Sequence, residues 1–281
     1  MTIWLNGTLL AAADARIDPS DRGFLLGDGI FETMATREGK LIFADIHFDR
    51  LSRGAGTLGI KLPYSIAELM SAATSLLAES NNSDQDRTAV RLTLTRGTGP
   101  RGLVPSSEAN PTVLITCSQS PLPKETARAI IATGRRNEFS PTANLKTLTY
   151  LDQVLARQEA DASGADDAIL LNTQDKVTCA TAANIFLWDS NTLITPPLSD
   201  GCLDGTARRK VLEIASQTGI AAFEESITPS TLANVESAFL TNSLVGLQPL
   251  TEIADRPLKI HTWQNKLRDA FDQAELQSIQ T

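Results

Sequence analysis

Strand-like and helix-like runs alternate along the whole chain, and this interleaving restricts the fold more than any other feature of the sequence. Short alternating or apolar runs at residues 2–5, 8–11, 30–36, 40–43, 89–95 and 112–116 read as strands, the first two joined by a turn at Asn6-Gly7. Residues 44–58 and 66–78 carry apolar side chains at helical spacing, Leu51, Ala55 and Leu58 among them. A glycine-punctuated stretch fills residues 21–29. The pattern resumes with strands at 129–133, 167–171, 184–188, 221–224 and 237–241, helices at 149–162, 206–217 and 262–274, and a turn at 173–176. Between the two halves, residues 118–124 read SQSPLPK, and the two prolines mark a linker. The runs predict a mixed α/β chain in two lobes. A small α+β domain spans residues 1–117, a linker 118–127 and a larger α/β domain 128–281.

At 281 residues the chain suits one large or two modest domains. Its 25 Lys+Arg against 33 Asp+Glu give a net charge of −8, which argues against a nucleic-acid or anionic-membrane partner. No apolar run approaches the ~20 residues of a membrane span. The N-terminal MTIWLNGTLL lacks the basic and apolar regions of a signal peptide. The expectation is a soluble, cytoplasmic protein. Cys117, Cys179 and Cys202 are odd in number, far apart and free of any CxxC pair, so neither a disulfide framework nor a zinc ribbon fits. With only His47 and His261, a histidine-rich metal centre is excluded as well, and no metal is expected.

Three places suggest an anion site. Gly205-Thr206-Ala207-Arg208 opens a helix, whose first N–H groups are unsatisfied and partly positive. Thr241-Asn242-Ser243 follows an apolar strand, and Arg50 stands three residues from His47 on a helix. Each alone also reads as an ordinary feature: an N-cap, a strand-end turn, a solvated helix face. Lys146 lies in Asn144-Leu-Lys-Thr-Leu-Thr-Tyr150 with leucines on both sides. An ammonium desolvated there has a lowered pKa and a free amine for Schiff-base chemistry; the alternative is an exposed or snorkelling lysine.

Taken together, these residues resemble the class IV aminotransferases, the fold-type IV pyridoxal-phosphate enzymes. That family includes branched-chain and D-amino-acid aminotransferases and 4-amino-4-deoxychorismate lyase. The resemblance runs in order through Asp21-Arg22-Gly23, Gly27-Asp28-Gly29-Ile30-Phe31-Glu32-Thr33, His47-x-x-Arg50-Leu51 and Thr95-Arg96-Gly97-Thr98-Gly99-Pro100-Arg101-Gly102. It continues in Leu145-Lys146-Thr147-Leu148, Thr181-Ala-Ala-Asn184-Ile-Phe186, Thr195-Pro-Pro-Leu198, Leu203-Asp-Gly205 and Phe239-Leu-Thr-Asn-Ser243. It implies two α/β domains with pyridoxal 5'-phosphate between them and a homodimer in which the partner's first lobe closes the site. Lys146 then matches the Schiff-base lysine and Arg50 the cofactor-phosphate arginine. Thr206 and Ala207 match the backbone N–H pair on that phosphate, Thr241, Asn242 and Ser243 a second phosphate turn, and Asn184 a further cofactor contact. Arg101 resembles the substrate-carboxylate arginine of the D-amino-acid enzymes, and Phe31 stands where some relatives carry tyrosine.

One position departs from the family. Its members usually carry glutamate, set against the cofactor's pyridine nitrogen, where this chain has Cys179. A carboxylate keeps that nitrogen protonated, and the pyridinium draws off electrons when the Cα proton leaves. A thiol is a weak donor. The resemblance therefore implies an aminotransferase working between a small amino acid and a keto acid, with a less effective electron sink. The lyase releasing pyruvate and 4-aminobenzoate is the alternative, and a cofactor-binding homologue impaired at Cys179 is a third reading.

Overall fold

The computed structural model describes residues 1–80, 87–106, 108–120, 123–189 and 191–280. The chain divides into two compact units. The first comprises Met1–Pro121, Lys146–Thr149 and Glu275–Thr281, and the second Leu122–Leu145 and Tyr150–Ala274. Lys146 and the three residues after it thus belong with the N-terminal unit, although they follow the proline linker in sequence.

In the first unit the strands are β1 (Thr2–Leu5), β2 (Thr8–Ala11), β3 (Gly29–Arg37), β4 (Lys40–Leu41), β5 (Thr88–Thr98) and β6 (Asn110–Gln119). They form an antiparallel sheet in the order β2-β1-β6-β5-β3-β4. Helices α1 (Arg22–Leu26), α2 (Ala44–Leu58) and α3 (Ile66–Glu79) complete the unit. Alternation decides the faces. Val90, Leu92 and Leu94 of β5, with Ile30 and Met34 of β3, point into a core completed by Phe48, Leu51 and Ala55 of α2 and Leu69, Ala73 and Leu76 of α3. Ser65 and Glu68 close a capping box at the start of α3. The register of β5 on β6 breaks between Thr95 and Thr98. Gly97 sits there at φ +81°, and a Cβ on it would fall 1.7 Å from the carbonyl oxygen of Asn110, so only glycine fits this bulge.

The second unit contains β7 (Ala127–Arg136), α4 (Leu151–Ala162), β8 (Asp167–Asn172), β9 (Val177–Ala180), β10 (Asn184–Asp189), β11 (Thr192–Thr195), α5 (Thr206–Gln217) and β12 (Ala221–Glu224). It continues through α6 (Pro229–Asn234), β13 (Ser237–Asn242), β14 (Gly246–Ile253), β15 (Arg256–Pro257) and α7 (Thr262–Ser278), within which the division between units falls. The sheet order is β12-β11-β10-β13-β14-β7-β8-β9, with β15 on β14. Strand β7 runs parallel to both of its neighbours. One set of buried residues gathers Ile169, Leu171, Val177, Ile185 and Leu240; another gathers Ala168, Leu170, Cys179 and Cys202 with Ala156 and Ala160 of α4.

Several elements differ from the sequence reading. The glycine-punctuated stretch contains α1, too short for helical periodicity and fixed instead by its ends. Asp21 accepts the Gly23 N–H at 2.8 Å, and Gly27 closes the helix in the left-handed region. The turn at 173–176 joins β8 to β9, a fully buried four-residue strand without alternation, and not to β10. Strand β14 holds Pro249, which lacks a ladder donor and masks the run as a strand. The helix expected from residue 149 begins at Leu151. The spacing within 149–162 predicts an apolar face of Leu151, Val154, Leu155 and Ala162; instead Leu151, Val154 and Leu155 are 69%, 47% and 55% exposed, while Ala156 and Ala160 are buried. Among the described residues, no helix is long and apolar enough to cross a membrane.

Met34 is wholly buried in the core of the first unit. Met34→Ala is expected to lower the unfolding free energy by about 2–5 kcal/mol, the usual loss for a large-to-small core change. Urea denaturation followed by circular dichroism measures this, and a loss of a few tenths would show that the site is not packed as described.

Candidate functional site

The lysine is placed by strand β3. One edge of β3 pairs with β5; at its N-terminal end the other edge receives residues 146–148. The Phe31 N–H donates to the Lys146 carbonyl at 2.9 Å, and the Leu148 N–H donates to the Gly29 carbonyl at 3.0 Å. Because this segment is extended against β3, it cannot join α4. The pairing also brings the Lys146 ammonium within 4.2 Å of the Phe31 ring centroid. The Arg91 guanidinium, from β5, lies 3.7 Å from the same ring.

On the core face of β3, Glu32 meets two side chains from α2. Arg50 grips it with two charge-assisted bonds, Nε to Oε1 at 2.7 Å and Nη2 to Oε2 at 2.6 Å. His47 Nδ1 lies 2.7 Å from Glu32 Oε2. Burial raises the Glu32 pKa, but Arg50 and His47 outweigh it and hold the carboxyl down to about 2. An ionised carboxylate only accepts, so His47 carries its proton on Nδ1. Burial, with Arg50 behind it, keeps the His47 pKa below its ordinary value against the pull of Glu32. Burial, then the charges of Arg50 and Arg91, lower Lys146 to about 7 despite the opposing effect of Glu32.

The second unit holds the remaining residues expected at a phosphate. Helix α5 starts after Gly205, which as a glycine brings no side-chain cap of its own. Asn184, at the start of β10, donates from Nδ2 to the Leu203 carbonyl at 2.8 Å. Its Oδ1 lies only 2.0 Å from where a Cβ on residue 205 would sit, so the turn into α5 requires glycine. Thr206 Oγ1 is 2.8 Å from Ser243 Oγ, which joins two of the three anion candidates. Thr241 and Asn242 shape their own turn, and Asn242 Nδ2 also donates to the Ala182 carbonyl at 3.1 Å. Thr241 Oγ1 donates to the Gly246 carbonyl at 2.7 Å, and Asn242 Oδ1 accepts the Leu244 and Val245 N–H groups, each at 2.9 Å. A helix start beside two hydroxyls suits a phosphate group.

Cys179 is buried on β9 opposite Leu170, and Thr178 Oγ1 approaches its sulfur at 3.4 Å. Asp175, the nearest acid in sequence, is exposed and paired with Arg135. Burial pushes Cys202 up to about 12 and Cys117 up to about 11, which disfavours thiolate chemistry at either. Arg101 is exposed on the loop beyond Gly97. Sequence reasoning singled out Lys146, Arg50 and Phe31 but passed over Glu32, His47 and Arg91 as partners of the lysine. The available signals were the three-residue spacing of His47 and Arg50 and the single acid, Glu32, inside the otherwise uncharged run 30–36.

The family model for amino-transferase class IV matches residues 29–253. The aminodeoxychorismate lyase of Bacillus subtilis is 30% identical, with 90% of this chain and 87% of that protein covered. The D-alanine aminotransferase of Bacillus licheniformis is 29% identical, with 90% and 88% covered. Among solved structures, the branched-chain aminotransferase of Thermoproteus uzoniensis, crystallised with norvaline, superposes with a TM-score of 0.90 at 28% identity, covering 99% of this chain and 95% of that one.

The lowered lysine is directly testable. The initial rate of imine formation with pyridoxal 5'-phosphate, followed by visible absorbance, is expected to rise through a midpoint near pH 7, the value to which Lys146 is lowered. Below that pH the amine is protonated and unreactive; above it the free amine attacks the aldehyde. A midpoint near the ordinary ~10.4 of a lysine would refute the desolvated site.

Proposed function

Because the chain belongs to the amino-transferase class IV family, we propose that it moves an amino group between a small amino acid and a keto acid using pyridoxal 5'-phosphate. The observation that carries this reading is Lys146, paired onto β3 and lowered to about 7 by burial and by Arg50 and Arg91. The start of α5, with the Thr206 and Ser243 hydroxyls in contact beside it, supports a phosphate ligand. When bound, the cofactor supplies an aldehyde that condenses with amines and a conjugated ring that takes up electrons released at the substrate's Cα.

The chain's own residues do the rest. Lys146 offers a neutral amine near pH 7 and, with cofactor and substrate bound, would hold and move the Cα proton. Glu32 fixes the Arg50 guanidinium through two bonds and so sets one charge beside the lysine. The N–H groups of Thr206 and Ala207, with the 241–243 turn, would hold the phosphate on the second unit, and Asn184 keeps the turn before α5 closed. Arg101 receives the substrate carboxylate, and Phe31 presents a ring without a hydroxyl. The reading places the enzyme in the cytoplasm as a homodimer, and the exposed Leu151, Val154 and Leu155 of α4 are consistent with a covered surface.

A second reaction, pyruvate elimination from 4-amino-4-deoxychorismate, is favoured by the resemblance of residues 96–102 and 242–249 to the lyases and by the similarity to the Bacillus subtilis enzyme. Product formation that depends on added keto acid is expected for transfer; pyruvate release without keto acid would assign the lyase. Lys146→Ala is expected to abolish either reaction and the visible absorbance of the bound cofactor. Retained turnover would overturn both.

Cys179 fits the cofactor less well than the other residues, since a thiol gives the pyridine nitrogen no counter-ion. Cys179→Glu is expected to accelerate the half-reaction with an amino acid, read as the change in cofactor absorbance. An unchanged or slower rate would sink the electron-sink argument. Absence of conversion in the wild type together with conversion by Cys179→Glu would support the homologue impaired at Cys179.

A further inference from the structure

The loop that carries Arg101 is tied down by an arginine from a distant part of the sequence. Arg22, on α1, is buried and donates from Nη1 to the Gly102 carbonyl at 2.8 Å and from Nη2 to the Leu103 carbonyl at 2.9 Å. Its third donor, Nε, binds Asp28 Oδ2 at 2.8 Å. The same carboxylate takes two bonds from Arg96, Nε to Oδ2 at 2.8 Å and Nη2 to Oδ1 at 3.0 Å. Arg96 in turn reaches the last turn of α2, donating to the carbonyls of Leu58 at 2.7 Å and Gly59 at 3.1 Å. A continuous chain of charge-assisted bonds therefore runs from α2 through Arg96, Asp28 and Arg22 to the backbone on the C-terminal side of Arg101.

Burial does little to hold this loop. Leu103 and Val104 are 82% and 83% exposed, and Arg101 is exposed between them and the Gly97 bulge. The Arg22 stem packs against the loop's other side, its Cδ lying 3.1 Å from where a Cβ on Gly99 would sit. The Asp28 carboxyl is held below its usual range by Arg96 and Arg22 against the opposing effect of its own burial, so the clasp stays charged at neutral pH. An arginine suits this task because its planar fork can bind two successive carbonyls and a carboxylate at once; a lysine cannot.

We propose that Arg22 is a positioning residue for substrate binding: it fixes residues 99–103 so that Arg101 meets the substrate carboxylate at a set place, without touching substrate itself. The inference rests on the role given to Arg101 under the proposed function. It explains why a wholly polar clasp is built under an exposed loop, and it assigns a role to the Asp21-Arg22-Gly23 motif, which lies outside the lysine and phosphate clusters.

The test compares Arg22→Met, which keeps the stem and removes the donors, with Arg22→Lys, Arg101→Ala and the double variant Arg22→Met/Arg101→Ala, each as the cofactor-loaded enzyme. Arg22→Met is expected to raise KM for the amino acid about tenfold with kcat changed less than twofold, and to speed amide hydrogen exchange at residues 100–104. Arg22→Lys, which keeps the charge on Asp28, is expected to fall between wild type and Arg22→Met, and it remains informative if Arg22→Met folds poorly. The double variant is expected to match Arg101→Ala alone, because the clasp acts only through that side chain. If Arg101→Ala leaves KM unchanged, the role of Arg101 is wrong. If Arg101→Ala raises KM but the Arg22 variants do not, or if their effects multiply, the positioning role of Arg22 is wrong.

Discussion

Strand β3 is the constraint on which the lysine cluster depends. An unpaired strand edge exposes N–H and C=O groups that must find partners, and β3 meets that demand with two segments from different parts of the chain. Residues 146–148 pair near its start, β4 near its end. The first pairing withdraws Lys146–Thr149 from the unit that surrounds them in sequence and fixes the lysine backbone beside Phe31 and Glu32. The position of the amine is therefore set by backbone hydrogen bonds of a sheet, which are less yielding than a loop held by side chains.

Electrostatics then follow from that geometry. Two arginines near one lysine would be costly to bury without a compensating acid, and Glu32 supplies it. The carboxylate binds Arg50 through both oxygens and takes a hydrogen bond from His47, so its charge is largely engaged on the α2 side. Lys146 receives only part of that attraction, while burial, Arg50 and Arg91 push it toward the neutral amine. A free carboxylate next to the lysine would do the reverse and keep it protonated. The cluster thus separates two tasks: Glu32 stays ionised to hold Arg50, and Lys146 is left poised near neutrality.

Much of the fold could be read where periodicity is strong. Helices α2 and α5 and strand β12 follow the predicted bounds because amphipathic spacing and strong turn residues delimit them. The misses share a cause. Helix α1, strand β9 and the proline-bearing β14 are elements whose identity is decided by caps and neighbouring strands and not by their own pattern. The expected apolar face of α4 failed because its short alanines, not its leucines, meet the sheet. At the site, residue types flagged the lysine, the helix start and the 241–243 turn. Sequence gave no measure of proximity, so it could not tell that Ser243 meets Thr206 while Thr241 and Asn242 serve their own turn.

Cys179 is best understood against this division of labour. Its neighbours in the fold are Leu170, Cys202 and the alanines of α4, an apolar setting into which an ionised carboxylate would go only with a partner to pay its desolvation. A thiol fits that setting without one. The setting also shows what a glutamate at this position would need: a cationic or strongly donating ligand close to it. The cysteine needs no such partner, and it leaves the second unit able to pack at this position without a ligand.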